Sequence, residues 1–155
     1  MARGTVSIVT VEAVPTAVIR ERTDWQAYPR LWPRLLEEVW RVVRADPDAQ
    51  PDRNVMLYLD FAPNVEVGVE IGGTFAGNGR VAPSQLPAGE AATAVAIGAP
   101  SAERIAAAHA AVVRWCDANR RKRSGVRWEV YAHWLDDQDP KRYETRVFWL
   151  LEPER

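Results

Sequence analysis

Three side chains able to do chemistry recur at every second position of the stretch "RWEVYAHW": Glu129, Tyr131 and His133. In a β-strand such spacing puts all three on one face, with Trp128, Val130, Ala132 and Trp134 on the other, which reads as core. A carboxylate in that setting can hold a cation, or orient and activate a water; a phenol beside it can donate a hydrogen bond to a carbonyl that gains negative charge. His133 reads as a half-solvated strand end. The second histidine, His109 in "ERIAAAHAAVVRW", lies beside the Ile105, Ala108, Val112, Trp115 stripe and reads as a boundary residue on a helix. With two histidines and one cysteine in the chain, no metal-ligand spacing exists and no metal is expected. Cys116 follows Trp115 on an apolar helix and reads as a buried, inert thiol.

The surrounding elements follow from periodicity. "TVSIVTVEAVPTAVIRE" predicts one long strand interrupted at Pro15. After the helix-start signal "RTD", the apolar spacing of Leu35, Val39 and Val42, with Leu31 and Trp32 above them, predicts a helix over 33–45, because Pro29 and Pro33 are tolerated only near a first turn. "VMLYLDF" and "VEVGVEI" read as strands, the second with Val65, Val67, Val69 and Ile71 inward and Glu66 and Glu70 outward. Beyond the Gly-rich "GGTFAGNGR" come a strand over 91–97, a helix with Ser101 as its N-cap, the strand of Glu129, the polar "LDDQDPKRYE" and a last strand "TRVFWLL".

Both halves therefore spell strand, helix, strand, strand. The expected fold is α+β: two βαββ units, repeat one at about 5–72 and repeat two at about 81–152, forming a single domain over 1–155. Pseudo-twofold symmetry would give an antiparallel sheet with helices on one side and a ligand cleft between the halves. Aligning "NVMLYLD" with "RWEVYAH" sets Tyr58 against Tyr131 and Met56 against Glu129, so both halves carry the phenol and the second alone carries the acid.

Composition removes several function classes. A formal net charge of −1 gives no global electrostatic case for nucleic acid. The basic run "RWCDANRRKRSG" reads as a solvated helix end closed by a glycine. No apolar run approaches the roughly 18 residues of a membrane span, and the N-terminal stretch reads as strand, so a cytoplasmic protein is expected. Seven tryptophans are the unusual feature. Those at 32, 40 and 115 read as core, whereas Trp25, which opens the first helix, could lie over a pocket mouth.

The joint order of the repeat, "SQLPAGEAATAVAIGAP" running into "HAAVVRWCDANRRKRSGVRWEVYAHW", and the final "YETRVFWLL" resembles the GyrI-like small-molecule-binding domain family, which includes the effector-binding domains of multidrug-sensing bacterial transcription activators. The resemblance implies a pocket for lipophilic, often cationic, ligands with a glutamate at its base, matched here by Glu129 in "WEVY". Tyr131, Tyr58, Trp25, Phe148 and Trp149 are the implied lining candidates, without a cofactor. Family activators carry a DNA-binding helix-turn-helix ahead of this domain; a domain starting at about residue 5 leaves no room for one, so a stand-alone form without direct nucleic-acid contact is expected. Two other functions stay open within the family. One is hydrolysis of cyclopropane rings in DNA-alkylating natural products, with Glu129 and Tyr131 as catalytic pair. The other is inhibition of a protein partner such as DNA gyrase, for which the acidic stretch Leu135 to Pro140 is the candidate patch. A related fold binds haem, but neither histidine lies in an axial-ligand context.

Overall fold

The structure is a computed structural model that describes residues 5–133 and 139–154; Trp134 and positions 135–138 of the acidic stretch lie outside the described residues. The strands are β1 (Ser7–Val11), β2 (Val14–Arg22), β3 (Pro51–Tyr58), β4 (Asn64–Ile71), β5 (Ala82–Leu86), β6 (Gly89–Ile97), β7 (Arg123–Tyr131) and β8 (Glu144–Leu151). Two helices, α1 (Tyr28–Arg44) and α2 (Ala102–Ala118), complete the α+β fold. Two compact units result, one of residues 12–88 and the other of residues 1–11 with 89–155.

Unit by unit, the duplicated order is plain. In residues 12–88 the antiparallel order is β3-β4-β2-β5, and α1 packs on β2, β3 and β4. In the other unit the order is β7-β8-β6-β1, and α2 packs on β6 and β8. The correspondence extends to detail: β3 slips register between Pro51 and Asn54, and β7 between Arg123 and Arg127. At the second slip Gly125 has φ of 100°, a left-handed conformation that glycine adopts without a Cβ clash.

The long N-terminal strand expected from the valine-rich run is in fact two strands in two units. β1 pairs with β6 (Ile8 opposite Ala92), while β2 pairs with β4 and β5. Alternation of apolar residues specifies strand but not which partner supplies the ladder, so the change of unit between Val11 and Glu12 leaves no mark in the pattern.

The first helix begins five residues earlier than its prolines suggested. Asp24 Oδ1 accepts from the Ala27 amide (2.7 Å), and the Tyr28 amide donates to the Asp24 carbonyl (3.0 Å), so the "RTD" signal caps a turn that leads into the helix. Pro29 occupies the first turn, where its missing N–H costs nothing, and Pro33 lies inside the helix. Leu35, Val39 and Val43 form its buried stripe. In α2, Ser101 is the N-cap as expected, accepting from the Arg104 amide (3.1 Å). This helix ends at Ala118 with Arg120 in the left-handed region (φ 56°), not at a glycine. The basic run beyond it is held in place: Arg121 pairs with Glu90 and Glu154, and Arg123 with Asp117.

β4 is buried on both faces, which corrects the outward reading of its glutamates. Glu66 is 2% exposed and pairs with Arg20, its cross-strand partner, while accepting from Ser84 Oγ (2.7 Å). Glu70 is likewise buried against Arg53 (2.8 and 3.1 Å), which holds the guanidinium above its ordinary pKa. A strand that alternates Val and Glu can thus be fully covered when each carboxylate finds an arginine on the neighbouring strand.

Candidate functional site

In the unit of residues 1–11 and 89–155, β7 is paired with β8 so that Arg127 faces Trp149, Glu129 faces Val147 and Tyr131 faces Thr145. Val147 and Trp149 belong to the core cluster that also contains Ala108, Val112 and Cys116 of α2 and Ala92, Ala94 and Ala96 of β6. Alanines on both elements let the helix lie close to the sheet. The Glu129 face is therefore the helix-covered face, and Glu129 itself is only 4% exposed. The opposite face is buried too: Trp128 stacks on its cross-strand neighbour Phe148 with ring centroids 5.2 Å apart and planes 10° from parallel.

Glu129 accepts hydrogen bonds on both carboxylate oxygens. The Tyr131 hydroxyl donates to Oε1 (2.6 Å), as i and i+2 residues of one strand face can, and His109 Nε2 lies 2.7 Å from Oε2. The role of that imidazole nitrogen is fixed from its other side. Trp149 Nε1 donates to His109 Nδ1 (2.9 Å), and an indole N–H can only donate. Nδ1 is thus the acceptor, the ring proton sits on Nε2, and Nε2 donates to the carboxylate. Trp149 is itself held, its ring lying 5.7 Å from the guanidinium carbon of Arg123 and 5.4 Å from that of Arg127. Beside this chain, Thr145 is 1% exposed and its hydroxyl finds no hydrogen-bond partner among the described residues.

The other unit carries an aromatic group at the corresponding strand positions. Met56 faces Val67 and Tyr58 faces Val65 across β3 and β4, just as Glu129 and Tyr131 face Val147 and Thr145. Tyr28 of α1 donates to Met56 Sδ (3.0 Å). Tyr28, Tyr58 and Trp25 contact one another with ring centroids 5.5 to 5.9 Å apart, all tilted or edge-on. Both tyrosines are buried, whereas Trp25 is 49% exposed.

Of the residues singled out in sequence, the fold brings Glu129, Tyr131 and Trp149 to one face, and Trp25 and Tyr58 into one aromatic cluster. Phe148 falls on the opposite face from Glu129, because consecutive strand residues alternate and Trp149 takes the helix side. His133 is exposed beyond the end of β7. Sequence reasoning missed His109 as a site residue, and Tyr28 altogether. The signal for His109 was present: it stands four residues after Ile105, three before Val112 and seven before Cys116, a polar residue on an apolar stripe.

Among the described residues no group of His, Cys, Asp and Glu could hold a metal ion. Burial pushes the Cys116 thiol up from its ordinary pKa, as expected of an inert core cysteine. No helix among the described residues is long and apolar enough to cross a membrane.

No curated protein matches the chain in sequence. Among solved structures it is similar to the C-terminal domain of EcmrR (TM-score 0.75, 18% identity, covering 96% of this chain and 97% of that one). It is also similar to SAV2435 bound to tetraphenylphosphonium (TM-score 0.71, 11% identity, covering 96% and 94%). A hydrolase from Listeria innocua shares the fold more distantly (TM-score 0.55, 10% identity, covering 98% and 94%). At these identities the structures establish a common fold, and the family follows from the sequence: residues 4–152 match the model of the GyrI-like small molecule binding domain, and the chain belongs to that family.

Proposed function

We propose that this small-molecule-binding domain captures lipophilic cations and releases them unchanged, with Glu129 supplying the charge. The observation that carries the reading is a carboxylate 4% exposed, with donors on both oxygens, on a strand face that also bears Tyr131. A carboxylate so placed attracts a cation far more strongly than one in bulk water, because the effective dielectric is lower. Aromatic faces add about 0.5–2 kcal/mol each through cation–π attraction. Tyr131, whose hydroxyl already meets the carboxylate, supplies one such surface within the same unit. Recognition by charge and aromatic contact tolerates many ligand shapes, so a promiscuous site is expected. The buried thiol of Cys116 suits the reducing cytoplasm, where we place the protein.

The related structure that holds tetraphenylphosphonium makes that cation the natural probe. Titration followed by Trp fluorescence should show saturable binding to wild type. Glu129→Gln, close in shape but uncharged, should weaken it by at least about tenfold, the scale of one charge-assisted interaction. Equal affinity in both proteins would refute the reading.

A hydrolase reading rests on the same pair, since a phenol 2.6 Å from a carboxylate joins a hydrogen-bond donor to a candidate base. Mass spectrometry separates the two. A cyclopropane-bearing ligand recovered with the mass of one added water would replace capture by hydrolysis, and recovery intact supports capture.

A further inference from the structure

We propose that His109 is the positioning residue for Glu129, and that Trp149 enforces this role by fixing the tautomer of the His109 ring. The inference rests on the reading of Glu129 as the charge that selects ligands. The connected bonds run in one direction, from Trp149 Nε1–H to His109 Nδ1 (2.9 Å) and from His109 Nε2–H to Glu129 Oε2 (2.7 Å). The first donor has no acceptor function, so the ring cannot turn over to present Nδ1–H to the carboxylate without leaving the indole proton unpaired. A second proton on the ring would set Nδ1–H against the indole N–H. The ring is thereby held with Nε2–H toward the carboxylate, so Glu129 Oε2 meets a donor in one fixed orientation.

Each member of this chain is anchored by a different element. His109 stands on α2 among Ala108 and Val112, Trp149 lies on β8 in the core cluster, and Glu129 lies on β7. The side chain of His109 is 18% exposed and that of Glu129 5%, so the bond between them lies largely out of water, where its geometry is retained. The Tyr131 hydroxyl on Oε1 completes the hold, and a carboxylate fixed on both oxygens presents its charge in one place.

The test uses two ions of the same shape and opposite charge, tetraphenylphosphonium and tetraphenylborate, with the full chain. Wild type should prefer the cation. His109→Leu, which removes the donor, should cut the preference by about tenfold, and His109→Gln, which keeps an N–H donor, should restore most of it. In parallel, the ¹⁵N spectrum of the wild-type imidazole should show a neutral ring protonated on Nε2, and Trp149→Phe should release that tautomer. A cation preference unaffected by His109→Leu, or a wild-type His109 ring protonated on Nδ1 or on both nitrogens, would overturn the proposal while leaving Glu129 as the charge. A wild type with no preference between the ions would remove the reading of Glu129 and this proposal with it. Should His109→Leu fail to fold, the wild-type ¹⁵N spectrum and its change in Trp149→Phe still decide, since neither depends on that variant.

Discussion

A carboxylate that is 4% exposed survives in a fold only if its oxygens are met, and Glu129 is met by a phenol from its own strand and an imidazole from a helix. The phenol was legible in the sequence because i and i+2 on one strand need only local alternation. The imidazole was not, since twenty residues and a change of element separate His109 from Glu129 and only tertiary packing brings them together. Thr145, directly opposite Tyr131, raises the contrary case of a buried hydroxyl without a partner among the described residues. Removing such a group while keeping its shape should stabilise the unliganded domain, because its desolvation is no longer uncompensated. Thr145→Val is expected to raise the free energy of unfolding by about 1 kcal/mol in urea titrations. A loss of stability instead would show that the hydroxyl is hydrogen-bonded in solution.

At the scale of elements, β4 illustrates how much a pattern can conceal. Its valines predicted a strand correctly, but Glu66 and Glu70 looked like solvent-facing positions until the arginines of β2 and β3 were seen beside them. Between these glutamates, Gly68 is the residue on which the β2–β4 ladder depends. A Cβ there would stand 1.9 Å from the Ala17 carbonyl oxygen and 2.8 Å from the Val18 Cα, both backbone atoms that cannot swing aside. Gly68→Ala should therefore destabilise the domain by about 1–3 kcal/mol, the usual cost of overpacking, with amide exchange rising along β2 and β4. Unchanged protection of Val18 and Val67 would count against this tight approach. The helix starts show the same limit of local reading: prolines at 29 and 33 pointed to a later start, yet the turn capped by Asp24 and the buried Tyr28 carry α1 through both.

Over the whole molecule, the duplication was legible because each half repeats its order of elements, and the βαββ reading accounts for β2, α1, β3 and β4 in one unit and β6, α2, β7 and β8 in the other, leaving β1 and β5 as additional edge strands. What the repeat did not reveal is the exchange of edge strands. β1 precedes β2 in the chain but completes the sheet of β6, and β5 precedes β6 but completes the sheet of β2. Deleting residues 1–11 should accordingly loosen the unit that contains Glu129, not the unit that contains Val14. Hydrogen exchange should quicken at Ala91 to Thr93, the partners of β1, while β2 stays protected. Faster exchange in β2 alone would contradict the assignment of the first strand.

The same exchange sets an order of events during synthesis. β5 emerges from the ribosome when β2 has long been available, but β1 must wait for β6, about 80 residues later, or roughly 4–16 seconds at ordinary elongation rates. Through that interval "SIVTV" is a short β-forming segment with its native ladder unmade, open to pairing with a strand of another chain. The nascent protein is most exposed to misassembly, and most in need of a chaperone, before the strand that will carry Glu129 has even been made.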